Sequence, residues 1–599
     1  MKPGSPVRTF GPLAAIAAIQ LVIVLAFPST APTTSTAADT STISGAPGVG
    51  ALPNGSLPSP GASAGTASGP AANGGGSGTV TPGAGGAVVP GGGGAPPATA
   101  NGDRTHCIDG RQFSPALEYF APPCVAGVPG AAYPGNNGGA TWQGVTKDTI
   151  EIVNYVPDYG AEVNTILKAQ GLYYSAPQAK VFNAAFERFI NGHYQLYGRR
   201  LHIDTFQGTC QTVPPNLQCL IPEMQAMVAK YHPYAVVFQT TLCSACYAEL
   251  ARLKVVSTGG AGFSDAFHNA NAPYSYDVAM SSTRIELEFA EFWCNQMTSL
   301  GGSGRTAIFA GTQNKQQDFR QKPRVLGILS TNDPDNKDTV KNVLYPALKR
   351  GCGEVVTHEY FYAQDINRAA QQSQAGSAAL NTAKNPATSV LCLCDPVAPQ
   401  FASNAGATQN YWPESLISSN QSMDVDATAQ TYMDSNGQAS LACPSPSKGC
   451  NYENTVGIGQ ADAEFPEAQM SAVKIFKQSS QGAGQPVKSP SLQIFWDNYN
   501  MLASLIQNTG PTLTPARMQQ LAPNLGSRGG GTTGRQRRAF EPGSWTWVKD
   551  VRVLYLNKHK KSVYNGQPGA YVQIEGRRLG LGEFPKLKQP PAPLTADRR

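Results

Sequence analysis

Twelve cysteines carry the most reactive chemistry in this 599-residue chain. They are Cys107, Cys124, Cys210, Cys219, Cys243, Cys246, Cys294, Cys352, Cys392, Cys394, Cys443 and Cys450. Thiolates either ligate metals or pair as disulfides, and spacing separates the two outcomes. Only Cys243-Ser-Ala-Cys246 has the spacing of a metal knuckle, and no second CxxC pair completes it. The seven histidines are scattered, without an HxxxH or HxH pair. The expectation is a disulfide framework and no metal or other cofactor.

Catalytic signatures are missing as well. Gly526-Ser-Arg-Gly-Gly-Gly-Thr-Thr-Gly-Arg535 is glycine-rich but lacks the Lys-Ser/Thr of a phosphate loop. Gly301-Gly-Ser-Gly-Arg305 ends in Arg where a nucleophile elbow needs Gly. Glu286 and Glu288 share one helical stretch but point different ways. No HExxH occurs, and no dinucleotide GxGxxG follows a strand. A binding protein is expected, not an enzyme. Tyr155, Asp158 and Tyr159, at the end of the first strand pattern, either face a cleft or pack within their loop. Asp395 before Pro396 either meets a ligand or caps a helix.

The elements that would position these residues alternate. Thr149–Val156, Leu201–Phe206, Tyr234–Gln239 and Val255–Ser257 read as strands. Helical spacing separates them, with apolar positions Val181, Phe182, Ala185, Phe186, Phe189 and Ile190, and then Leu220, Met224, Met227 and Val228. The alternation restarts with a helix through Ile285, Phe289 and Trp293 and strands at Arg324–Leu329, Glu354–Tyr360, Ser389–Cys394 and Ser415–Ser418. Two runs of βα units imply an α/β fold of two doubly wound parallel-sheet lobes with a cleft at the carboxyl ends of their strands.

Composition sets the surroundings. Charged residues are 14% of the chain, against about 25% in ordinary proteins. Between Ser29 and Asn101 there is one charge, Asp39, and no aromatic residue. Such a stretch cannot bury enough apolar surface to offset its chain entropy, so it reads as a disordered tether. Before it, Lys2 and Arg8 precede an apolar run from Leu13 to Phe27 broken only by Gln20. That is an export signal, either cleaved or kept as a membrane anchor. The rest of the chain should then lie outside the cytoplasm, at the outer face of the membrane, the cell surface or the periplasm. The even cysteine count agrees. A net charge of +6 without a basic stripe excludes a dedicated nucleic-acid binder.

At this point the residues resemble a family. Gly144-Val-Thr-Lys-Asp-Thr-Ile-Glu-Ile152 looks like the opening strand of the leucine/isoleucine/valine-type periplasmic binding proteins, the type I fold. Thr241-Leu-Cys-Ser-Ala-Cys246 looks like that family's first ligand loop, and Arg324-Val-Leu-Gly-Ile-Leu-Ser-Thr-Asn-Asp333 like the first strand and loop of its second lobe. The resemblance runs from about 144 to 470 and more loosely to about 580. It implies a receptor that closes two hinged lobes on a small solute and delivers it to the permease of an ABC transporter; a cell-surface sensor of the same fold is the alternative. The binding positions it implies are Ser244, Thr258, Gly259 and Gly260 on one lobe and Asn332, Asp333, Asn336 and Asp395 on the other. Ser244 also reads as a helix cap. Asn420 stands where amino-acid binders carry an acid for the ligand ammonium, with Asp424 and Asp395 as substitutes if the alignment shifts. An unpaired buried ammonium is costly, so a neutral or anionic polar solute is expected. The glycines near 259–262 should offer free backbone N–H groups to it.

The expected organisation is a signal or anchor at 1–28, the tether at 29–101, and a disulfide-closed collar at 102–143. Lobe 1 should hold 144–281 and 464–540, lobe 2 should hold 282–463 and 541–580, and 581–599 should be a tail. The membrane is met through the N-terminal segment alone. Cys107–Cys124, Cys443–Cys450 and Cys294–Cys352 are the expected pairs. Cys210 should reach Cys243 or Cys246, with Cys210–Cys219 competing. Cys392 and Cys394, two apart on a strand, should not pair with each other.

Overall fold

The computed structural model describes residues 107–588 except 109, 113–118, 126–132, 240–241, 299–305, 312–313, 315–316, 419–422, 434–450, 480–481 and 483–488. The signal, the tether, Asn420, Cys443 and Cys450 lie outside the described residues. Among the described residues, no helix is long and apolar enough to cross a membrane.

Two sheets organise the chain. The first contains β1 (Thr149–Asp158), β2 (Arg200–Gln211), β3 (Ala235–Phe238) and β4 (Val256–Thr258), all parallel, in the order β2-β1-β3-β4. The second contains β5 (Leu326–Thr331), β6 (His358–Tyr362), β7 (Ser389–Leu393), β8 (Glu414–Ile417), β9 (Thr455–Gly459), β10 (Arg552–Lys561) and β11 (Pro568–Gln573), in the order β11-β10-β9-β8-β7-β5-β6. Strands β5 to β9 are parallel; β10 and β11 extend the sheet as antiparallel strands. The fold is α/β with two doubly wound lobes. Both strands fall in the 541–580 segment expected in lobe 2, and their antiparallel pairing goes beyond that expectation.

Each lobe has its own core. In lobe 1, Ile150, Ile152 and Leu201 pack on one face against the Ala176–His193 helix. Val153 and Tyr155 pack on the other face against Leu220, Met224 and Leu250. Two late helices, Ser471–Gln478 and Ser489–Thr509, close the first of these cores. Phe476 meets Phe182 at 4.8 Å between ring centres, and Trp496 meets Phe186 at 5.2 Å. The collar joins the same core. Phe120 is 0% exposed and lies edge-on to Trp547 at 4.6 Å, and Gln507 Nε2 donates to the Pro123 carbonyl at 2.9 Å.

The chain passes between the sheets three times. Two crossing segments pair directly: Asp277 N–H donates to the Trp545 carbonyl at 3.2 Å, and Trp547 N–H donates to the Asp277 carbonyl at 2.8 Å. The third crossing is tied to the first where Met280 N–H donates to Gln460 Oε1 at 2.6 Å. The Arg578 guanidinium pins the same region, donating to Asp550 Oδ1 at 2.8 Å and to the Gln460 and Ala461 carbonyls at 2.7 Å each.

Five disulfides are present among the described residues. Cys107–Cys124 and Cys294–Cys352 are bonded. Of the other three, one decides for the competing assignment and two correct the sequence reading. Cys210 bonds Cys219, not Cys243 or Cys246, because β2 runs on to Gln211 and a short turn brings the next helix back, Cα to Cα 5.6 Å. Cys243 and Cys246 bond each other across the first turn of the Ser244–Arg252 helix. Cys392 bonds Cys394, since β7 ends at Leu393 and strand spacing no longer holds the two apart; their Cα atoms are 5.1 Å apart.

Candidate functional site

In doubly wound sheets, ligands gather where neighbouring strands send their connections in opposite directions. The sheet orders place these switch points between β1 and β3 in lobe 1 and between β5 and β7 in lobe 2. A cavity of about 90 Å³ lies where the two meet. Lobe 1 contributes Tyr159 after β1, Val163 and Leu167, and Leu242 after β3. Lobe 2 contributes Leu329 from β5, Tyr362 at the end of β6 with Ala363 to Ile366 after it, and Asp395 to Ala398 after β7.

Several polar groups of this cleft cavity are already engaged. The Tyr362 hydroxyl donates to Asp395 Oδ2 at 2.9 Å and accepts from the Asp395 N–H at 3.0 Å. Asp395 Oδ1 accepts from Val397 N–H at 2.8 Å and Ala398 N–H at 3.0 Å, so this carboxylate caps a helix and lines the cavity at once. Burial and the neighbouring carboxylate hold the Tyr362 hydroxyl far above the ordinary phenol range, so it stays protonated. Gln372 binds the Ala363 backbone both ways, at 2.7 and 2.9 Å. The Tyr159 hydroxyl donates to the Gln239 carbonyl at 2.8 Å. What remains facing the space is mainly aliphatic.

Two further contacts link the lobes. Ser264 donates to Asp335 from its N–H, at 2.8 Å to Oδ2, and from its hydroxyl to Oδ1. Gln170 Nε2 donates to the Pro396 carbonyl at 3.0 Å and to Thr431 Oγ1 at 3.3 Å.

A second cavity, of about 120 Å³, lies beside the crossing segments. Its wall carries Gly260 to Gly262, Val278, Asp424, Asp462, Glu464, Met470, Ile494, Asp497 and Gln536.

The positions singled out in the sequence scatter across this framework. Asp395 lines the cleft cavity and Gly260 the hinge cavity. Asp158 accepts from Gly160 N–H at 2.9 Å and holds its own loop. Tyr155 faces away from the cleft: it shares the sheet face of Val153, is 0% exposed, and donates to Glu223 Oε2 at 2.5 Å. Thr258 donates to Asn498 Oδ1 at 2.6 Å inside lobe 1. Gly259 is packed so closely that a Cβ there would lie 2.2 Å from the Tyr247 hydroxyl. Ser244 is half-buried in the first turn of its helix, where the Cys243 side chain caps it, and neither cavity includes it. Asp333 caps the Pro334–Thr339 helix, Asn336 Nδ2 donates to Thr331 Oγ1 at 2.7 Å, and Asn332 is exposed.

The glycine loop is not a free set of donors. The buried Asp277 carboxylate accepts from Gly262 N–H at 2.9 Å and from Ala279 N–H at 2.9 Å. Burial pushes Asp277 up to about 6, opposed by these N–H groups and those of Ala261 and Gly260. Sequence reasoning missed Asp277, Asp335, Tyr362 and Ile366. Only the Asp-Pro-Asp run at 333–335 hinted that the loop after β5 would carry a useful carboxylate.

No family model matches this chain, and no curated protein does. Solved structures do. A possible leucine/isoleucine/valine-binding protein from Rhodopirellula baltica is 12% identical, with 71% of this chain and 96% of that one covered and a TM-score of 0.47. An ABC transporter substrate-binding protein from Aeropyrum pernix is 12% identical, covering 73% and 97%, with a TM-score of 0.47. A solute-binding protein from R. palustris, solved with 4-hydroxybenzoate, is 10% identical, covering 73% and 98%, with a TM-score of 0.46. These similar structures are solute-binding proteins.

Proposed function

We propose that this chain is an extracytoplasmic receptor, not an enzyme, whose two lobes close on a small molecule and hand it to a membrane permease of the ABC class. One observation carries the proposal: the switch points of both sheets face a single cavity walled by both lobes. A molecule there touches both lobes, so its binding energy favours the closed arrangement over any in which the lobes part. Export fits the disulfides, which persist in oxidising compartments.

The wall chemistry revises the expected ligand. Aliphatic side chains from Val163, Leu167, Leu242, Leu329, Ile366 and Val397 surround one polar corner at Asp395 and Tyr362. We infer a ligand with an apolar body and one hydrogen-bonding end, in place of a uniformly polar solute. Mass spectrometry of small molecules released from the natively exported protein tests this. A molecule of that shape, lost from Val397→Trp, is the expected result. A strongly polar anion, or one retained by Val397→Trp, would overturn it.

A further inference from the structure

Strand register brings three metal-binding groups together on the first sheet. Strands β1 and β2 pair in parallel with Glu151 opposite His202. Side chains alternate along a strand, so Asp204, two residues on, shares the face of His202. Ile150, Ile152, Leu201 and Ile203 turn to the other face and join the core there. The result is one imidazole and two carboxylates whose ligating atoms all lie within 4.8 Å of one another. His202 Nε2 stands 4.0 Å from Asp204 Oδ1. Zinc bonds of about 2.0–2.1 Å at tetrahedral angles put ligand atoms about 3.3 Å apart, so a side-chain movement of about 1 Å or less closes this gap.

Two further observations separate the cluster from a chance gathering of surface charge. The first is the support behind the imidazole. Glu187, on the Ala176–His193 helix, places Oε2 3.5 Å from His202 Nδ1. That oxygen is itself held by the Ile203 N–H, which donates to it at 2.9 Å. A carboxylate beside Nδ1 keeps the ring proton there and leaves the Nε2 lone pair on the Asp204 side, the arrangement that orients metal-binding imidazoles. The second is the charge balance. Among the described residues, no lysine or arginine forms an ion pair with Glu151, Glu187 or Asp204; the ion-pair partner of Glu187 and Asp204 is His202. Three carboxylates therefore gather around one imidazole, and a divalent cation balances them. Imidazole nitrogen with carboxylate oxygen suits zinc, whereas calcium and magnesium favour oxygen throughout.

We propose that Glu151, His202 and Asp204 form a zinc-class metal site, with Glu187 as the residue that positions His202. The site departs from the sequence expectation of no metal, because its ligands come from two strands and no short spacing marks them. Glu151 and His202 are each the third residue of their strand, so the site lies towards the amino ends, away from the cleft at the carboxyl ends. Neither cavity includes its residues. A bound ion would fasten the edge strand β2 to β1.

Calorimetric titration of the exported protein with zinc chloride, after chelator treatment and dialysis into a non-chelating buffer, tests the proposal. The expected result is one saturable site, weakened tenfold or more in His202→Ala and in Asp204→Asn. His559→Ala, which removes an exposed histidine of β10 in lobe 2, should leave it intact. Zinc should raise the melting temperature of the wild type but not of His202→Ala. Melting curves without zinc identify any variant that fails to fold; His202 is exposed, so its replacement leaves the core untouched and decides. With cobalt(II) in place of zinc, the visible absorption of the wild type should shift in Glu187→Gln, and an unchanged spectrum would remove Glu187 from its positioning role. No saturable zinc binding, equal affinity in folded His202→Ala, or loss in His559→Ala alone overturns the proposal. Tighter binding of calcium or magnesium than of zinc overturns the metal class.

Discussion

In the cleft cavity, Asp395, Tyr362 and Gln372 satisfy one another or nearby backbone; in the hinge cavity, Asp462 pairs with Arg535 and Asp497 with Arg538, while Asp424 Oδ1 has no hydrogen-bond partner. Both are enclosed between the same two lobes, yet they differ in what they lack. A wall whose polar groups are already paired offers mainly apolar surface, worth about 25 cal/mol per Å² of ligand buried. A wall that carries carboxylates offers electrostatics, strengthened by low local polarity.

Arg578→Met should give the largest effect. Arg578 and Asp550 are both fully buried, and removing the guanidinium strands a carboxylate. Loss of about 3–5 kcal/mol is expected, read by urea unfolding. A loss under about 1 kcal/mol would show that the hinge does not depend on its buried pairs.

Asp277→Asn tests the glycine loop by pH. Burial raises Asp277 to about 6 from an ordinary 3.8, so the folded state binds this proton more tightly than the unfolded state. Its contribution is therefore greatest at low pH and declines as pH rises from about 4 to 6. The melting temperature of wild type relative to the variant should fall over that window, and a relative gain by the wild type would reverse the sign of the argument.

Tyr362→Phe removes the donor to Asp395 at the polar corner of the cleft. Stability should fall by about 1–3 kcal/mol, and affinity for a ligand with a hydrogen-bonding end should change; unchanged affinity would remove the polar corner from the binding site.

Ser264→Ala deletes one of the two hydrogen bonds to Asp335 across the lobes and should cost about 1 kcal/mol. Small-angle scattering should show a greater share of open molecules, and unchanged scattering would mean that the Ser264–Asp335 contact does not hold the lobes together.

Much of the architecture was legible because periodicity is local. The spacing of Phe182, Phe186 and Phe189, and the apolar runs at Ile150–Val156 and Ala235–Phe238, follow from side-chain geometry along one element. The site was less legible. Tyr155 and Tyr159 are four residues apart, yet one lies under the sheet and the other at the cleft, because only Tyr159 lies beyond the strand end. Gly260 to Gly262 looked like a donor set, and a carboxylate fifteen residues past Gly262 in sequence occupies it.

The sequence by itself determined two alternating α/β runs, a cysteine framework and the absence of catalytic motifs, all properties of composition and short-range spacing. Tertiary structure alone decided that β10 and β11 extend the second sheet antiparallel, that Cys210 meets Cys219, and that Phe120 completes a core built mainly of distant residues. It also decided which carboxylates find a partner. Burial and pairing depend on groups brought together from far along the chain, and no local pattern encodes how many guanidinium groups will stand beside Asp424.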